Sequence, residues 1–221
     1  MARSATDIIK ELDTAGFSCL PDAGIGDLVS KLGHGGFHFW SEDGLSYYEN
    51  NISKHQLISS VVEKVLGACK LMHWVRYSGL PDHIECFRSG GPRRQLIIQH
   101  WESGGEAIFY SGSHHGVHCS TESKASIRKL HESNREDLLR AGCQPVHKTF
   151  PHGCLVIRDG RLYVEHKAGS AITFVFATDD AMTDIPKIML PALPRLIERL
   201  EEIQTERMKI NYDVDPYDHS V

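Results

Sequence analysis

At 221 residues, with 41% hydrophobic and 24% charged side chains, the chain is long enough to bury one substantial core and is expected to form a single domain over residues 1–210. A formal net charge of -5, with both signs mixed along the sequence, argues against the clustered basic surface that a nucleic-acid partner requires. No apolar run approaches the ~20 residues of a membrane span, and the opening MARSATDIIKELDTAGF lacks the apolar stretch of a secretory signal, so a cytoplasmic protein with no membrane contact is expected. The six cysteines contain no C-x-x-C pair, which fits reduced thiols better than a disulfide framework or a structural zinc site.

Taken in chain order, Thr6 to Ala15 reads as a helix, with Ile8, Ile9 and Leu12 at helical spacing and Gly16 as its stop. Phe17 to Leu20 reads as a strand. Pro21 to Gly36 is turn-rich with one helical piece from Ile25 to Leu32, and His34 to His38 is a glycine-loosened loop. Lys54 to Lys70 carries Leu57, Ile58, Val61, Val62, Val65 and Leu66, a helix with a wide buried face. Beyond Met72 the texture changes to short β-rich runs: His73–Tyr77, Ile84–Phe87, Gln95–His100, Ala107–Tyr110, Cys154–Arg158, Leu162–Glu165 and Ala171–Ala177. The polar stretch from Thr121 to Ala141 reads as one or two surface helices inserted among them. Pro194 to Met208 reads as a closing helix, and residues 211–221 as a flexible tail. The fold class implied is α+β, a jelly-roll of about eight strands flanked by N- and C-terminal helices.

Several residues have the chemistry of a site. A His-x-Glu on a strand places imidazole and carboxylate on one face, and there are two such pairs, His83 with Glu85 and His100 with Glu102. The second follows the stronger apolar run. His114, His115 and His118 form a denser cluster, with Cys119 beside it, that offers an alternative site for copper or zinc. Tyr110 and Trp101 alternate with buried positions near these residues, and each has a core-packing role open to it as well. His34, His38, Phe39, Trp40, Tyr47 and Tyr48 form aromatic loops that would suit either a pocket mouth or surface packing. Arg93, Arg94, Arg158 and Arg161 stand on or beside strands, where each either binds an acidic group or guards a strand edge.

The segments DIIKELDTAGFSCLPD, SGGEAIFYSGSHHG and HGCLVIRDGRLYVEHKAGSAITFVFA resemble, in this order, the entry helix and strand, the Gly-Ser-His strand and the late strand pair of the Fe(II)/2-oxoglutarate oxygenases, in their phytanoyl-CoA dioxygenase-like branch. The resemblance spans most of the chain and implies a double-stranded β-helix, a jelly-roll or cupin-like barrel. It implies Fe(II) held by His100, Glu102 and a distal His166, with Tyr110 and His114 as further catalytic residues lining the site. The family's cosubstrate, 2-oxoglutarate, is held by an Arg or Lys on the strand after the distal histidine, and AITFVFAT carries neither. The expected function is therefore a small non-haem iron oxygenase acting on a small organic molecule in natural-product biosynthesis, with a homodimer as a compatible assembly. The alternative is a metal-independent barrel enzyme performing an isomerisation, cyclisation or lyase step by acid/base chemistry.

Overall fold

The computed structural model describes residues 3–34, 38–78, 82–116, 121–122, 130–183 and 185–215. In chain order its elements are α1 (Ala5–Thr14), β1 (Phe17–Pro21), α2 (Ala23–His34), α3 (Glu42–Tyr48), α4 (Gln56–Leu66), β2 (Cys69–Ser78), β3 (Ile84–Cys86), β4 (Gln95–Trp101), β5 (Gly105–Ser111), β6 (Thr121–Glu122) and β7 (His131–Ser133). These are followed by α5 (Arg135–Arg140), β8 (Gln144–Phe150), β9 (Cys154–Asp159), β10 (Val164–Ala168), β11 (Ser170–Ala177), β12 (Ile188–Pro191), α6 (Pro194–Ile203), β13 (Met208–Ile210) and β14 (Tyr212–Asp215).

Two sheets face one another. The main sheet has the order β1-β9-β4-β11-β2-β13 and the other β6-β7-β3-β10-β5-β8, so the chain alternates between sheets from β2 to β5 and again from β8 to β11, as in a double-stranded β-helix. Most pairings are antiparallel, β13 on β2 being a parallel exception. Strands β4, β9 and β11 are buried along their whole length. Their sequences are near-continuous apolar runs because both faces are covered, one by the opposite sheet and the other by helices.

The helical layer packs on the outer face of the main sheet. Ile8 and Leu12 of α1, Leu45 and Tyr48 of α3, Ile58, Val61 and Val62 of α4 and Leu200 of α6 form one core with Leu96, Ile98, Leu155, Ile157, Ile172, Phe174 and Phe176. Helix α1 begins with a capping box in which Ser4 accepts from the Asp7 amide and the Asp7 carboxylate accepts from the Ser4 amide. It ends at Gly16, whose φ of 85° is the left-handed conformation open to glycine. On the inner face Trp101, Phe109, Val156, Leu162 and Val164 form a second, smaller core between the sheets.

The differences from the sequence reading have local causes. Helix α3, which begins with Ser41 accepting a hydrogen bond from the Gly44 amide, and strands β8, β12 and β13 are additional elements. Within Thr121–Ala141 the described residues form β6, β7 and only the two-turn α5, capped by Asn134. The closing helix stops at Ile203, and Met208 enters a strand whose edge place beside β2 covers the sheet. The expected tail is in part ordered pairing: Tyr212–Asp215 lies parallel to Ile188–Pro191. Its alternation of polar and apolar residues is too short to distinguish such an edge strand from a solvated end.

Candidate active site in the barrel interior

Alternation along β4 divides the expected site. Leu96, Ile98 and His100 point to the helical layer, whereas Ile97, Gln99 and Trp101 point between the sheets. His100 is fully buried against Tyr47 and Phe174, and its Nδ1 lies 2.5 Å from the Tyr47 hydroxyl. Burial depresses its pKa to about 3, with the nearby His55 adding to the shift, so His100 is a neutral core histidine. Glu102 accepts a hydrogen bond from the Ser170 amide at 2.7 Å and pairs with Arg76 at 3.2 Å.

His166 projects from the other sheet. Its ring stacks on Trp101 at 4.7 Å and packs on Tyr77 at 4.4 Å. The structure thus does not bring His100, Glu102 and His166 together: the first two face outward from one sheet and the third faces inward from the other. The expected set breaks because a one-residue change of face separates His100 from Trp101.

Tyr110 and His114 also lie away from the barrel interior. Tyr110 is on the outer face of its sheet under α5, where its hydroxyl donates to Glu165 at 3.1 Å and accepts from Arg135 at 3.2 Å. Lys167 completes this group by donating to Glu165 at 2.9 Å, and these partners hold the Glu165 carboxyl below its usual range against the opposing cost of burial. His114 is fully buried and packs against the Gly16 turn, with Nε2 3.3 Å from the Asp13 carbonyl. His118 and Cys119 of the denser histidine cluster lie outside the described residues.

What the interior does assemble is a different constellation. A cavity of about 10 Å³, room for roughly one water-sized species, is bordered by Tyr77, Glu85, Gln99, Arg158 and His166. Strands β3 and β10 pair through Val164 with Glu85 and Glu165 with Ile84, so Glu85 and His166 reach the cavity from adjacent strands. The Tyr77 hydroxyl donates to the Glu85 carboxylate. Burial, reinforced by the Arg158 cation, lowers the His166 pKa to about 3, and its Nδ1 has no protein partner. His166 is accordingly a neutral imidazole, the form that ligates metals.

Arg158 was one of four arginines with no distinguishing mark beyond its strand; the structure singles it out. Its side chain is 3% exposed, donates to Gln99 Oε1 and the Leu162 carbonyl at 3.3 Å each, and lies over the Phe87 ring at 5.5 Å. Desolvation lowers its pKa to about 10, yet it remains charged near neutrality. Among the described residues no carboxylate forms a salt bridge with it, although Arg93 and Arg161 both pair with Asp159 next to it. A buried guanidinium with two long hydrogen bonds to neutral acceptors has the charge and the donors that an anion can accept from.

Strand order, the two facing sheets and the helical layer place this geometry among known folds. At the level of sequence, no family model matches the chain and no curated protein matches it. In three dimensions it is similar to the epimerase SnoN, in a crystal structure with Fe3+, alpha ketoglutarate and nogalamycin RO, with TM-score 0.54 and 12% identity over 78% of this chain and 83% of that one. The chain has the fold of the Fe(II)/2-oxoglutarate oxygenases. It is also similar to EctD from S. alaskensis, with 2-oxoglutarate and 5-hydroxyectoine, at TM-score 0.53 and 12% identity over 80% of this chain and 77% of that one. Iron-bound HygX from Streptomyces hygroscopicus matches at TM-score 0.50 and 12% identity, covering 96% of this chain and 97% of that one.

The interior donors fit iron in kind. A carboxylate and a neutral imidazole with an unpartnered nitrogen face one cavity, beside a cation suited to a carboxylate cosubstrate. His83, on β3's approach one step beyond the pair Glu165 and Ile84, is the residue type that completes a two-histidine, one-carboxylate set, and its Nδ1 lies 3.1 Å from Glu132. Among the described residues no three His, Cys, Asp or Glu side chains stand close enough to hold a metal as they are placed, so ligation requires His83 to leave Glu132.

Proposed function

We propose that the protein is a small non-haem iron oxygenase that uses 2-oxoglutarate and oxidises a small organic molecule, with His83, Glu85 and His166 as iron ligands and Arg158 as the anchor for the cosubstrate carboxylate. The observation that carries this reading is the convergence of Glu85, neutral His166 and the buried Arg158 cation on one interior cavity of this fold. Bound iron and 2-oxoglutarate would supply dioxygen activation. The chain's own residues prepare the site: Trp101 fixes the plane of His166 by stacking, Tyr77 holds Glu85 by a hydrogen bond, and Gln99 orients Arg158. The molecules present with SnoN and EctD, nogalamycin RO and 5-hydroxyectoine, support a small specialised metabolite as substrate, and the order of motifs favours the phytanoyl-CoA dioxygenase-like branch.

The second reading rests on the same cavity. The Tyr77 hydroxyl, Glu85 carboxylate and unprotonated His166 form an acid/base group capable of a non-oxidative isomerisation or lyase step without metal. Metal content and 2-oxoglutarate-dependent oxygen uptake of protein purified without chelator separate the two. The oxygenase reading expects stoichiometric iron that is lost in Glu85→Ala and in His166→Ala and kept in His100→Ala. Turnover that persists in excess EDTA would overturn it in favour of acid/base chemistry.

A further inference from the structure

A second and larger cavity lies on the opposite face of the main sheet. It measures about 360 Å³ and opens between Val29 and Leu32 of α2, Phe39, and the sheet residues Arg76 and Ile172. Ile172 pairs with Arg76 across β2 and β11, so the two form adjacent parts of the cavity floor. The volume falls within the ~300–1,000 Å³ common to small-molecule sites.

Its walls are largely apolar, with His38 at one side and Arg76 on the floor as the polar side chains that line it. The guanidinium donates through Nε and Nη2 to Ser170 Oγ at 3.0 and 2.8 Å, and through Nη2 to Glu102 at 3.2 Å. Among the described residues Nη1 has no acceptor. Gly33 permits this placement, because a Cβ there would meet the Arg76 guanidinium at 2.5 Å. Glu102 offsets part of the Arg76 charge, so an entering carboxylate would gain only a reduced attraction while losing its hydration in a largely apolar cavity. A neutral acceptor carries no such desolvation cost and can accept a hydrogen bond from Nη1.

We propose that this cavity binds an uncharged, mainly apolar small molecule, aromatic or alicyclic, with one carbonyl or hydroxyl oxygen accepting from Arg76. The site is separated from the barrel interior by the sheet and stands independently of the iron reading.

Benzylacetone, a neutral aryl ketone, and phenylpropionate, its carboxylate counterpart, are suitable probes for titration of the full chain followed by amide NMR shifts. The ketone is expected to give saturable shifts at Val29, Leu32, Phe39 and Ile172 and to bind at least about tenfold more tightly than the carboxylate, a difference of about 1.4 kcal/mol. Leu32→Trp, which fills the cavity, should abolish those shifts, and Arg76→Lys, which keeps the ion pair with Glu102, should weaken binding several-fold. Ile172→Trp serves as a second filling variant if the thermal transition shows that Leu32→Trp does not fold. Absence of saturable shifts, equal or tighter binding of phenylpropionate, or undiminished binding in a folded filling variant would overturn the proposal.

Discussion

The two faces of strand β4 carry opposite kinds of chemistry from alternate residues of one heptapeptide. Outward, Leu96, Ile98 and His100 join Tyr47 and Phe174 in a helical core that is aromatic and aliphatic, where His100 is bonded to Tyr47 through Nδ1 and its Nε2 has no partner. Inward, Gln99 and Trp101 face His166, Arg158 and Glu85, whose polar atoms are only partly satisfied. Each histidine keeps one buried nitrogen without a hydrogen-bond partner, but the outer one sits among aromatic rings, whereas the inner one borders a cavity it shares with a carboxylate and a buried cation. Convergence of a carboxylate, a neutral imidazole and a buried cation on one cavity marks a candidate site better than unpartnered nitrogens or the density of histidines do.

Substitutions that act on one face only would sharpen this contrast. Phe174→Ala should destabilise the protein by about 3–5 kcal/mol in urea unfolding by opening a cavity beneath the helices, with iron content unchanged in the fraction that folds. Arg158→Met should raise the half-saturating 2-oxoglutarate concentration by tens- to a hundredfold, about 2–3 kcal/mol, through loss of a charge-assisted partner. Stability of that variant should hold or rise, because a buried guanidinium without a counter-ion is replaced by an apolar side chain of similar length. A marked loss of stability would instead make Arg158 structural.

Acid should weaken the fold through its depressed histidines. His100 and His166 have folded pKa values near 3 against an ordinary 6.5, so the unfolded chain binds more protons between these values and stability falls as pH drops from about 6.5 towards 3. His100→Gln, which retains a partner for Tyr47, should reduce that slope by about one proton in pH-dependent unfolding. The smallest effect belongs to the rim: Arg76 and Glu102 side chains are 39% and 22% exposed, and Arg76→Gln should cost no more than about 1 kcal/mol.

Much of the architecture was legible along the chain. The strand runs from His73 to Ala177 and the helices at Ala5–Thr14 and Gln56–Leu66 follow from apolar periodicity and glycine stops, and the order of motifs pointed to the right barrel. The site was legible only in part. His166 and the pair His83 and Glu85 were visible as candidates, but the choice between the two His-x-Glu pairs was not, because each face of QLIIQHW mixes polar and apolar residues, Gln95 and Gln99 on one and His100 on the other, and alternation does not say which of them looks into the barrel. Arg158 and Asp159 follow the apolar CLVI run of a strand buried on both faces, but nothing local showed that Asp159 would pair with Arg93 and Arg161 and leave Arg158 to the barrel.

Composition and periodicity therefore determined which segments became strands and helices, since local spacing sets which side chains share a face. Only the tertiary structure decided which face looked into the barrel, that Glu85, Arg158 and His166 meet there from three strands, and that His100 serves the outer core. Those relations depend on how two sheets and a helical layer pack across long separations in sequence, and a local pattern carries no record of what lies opposite it.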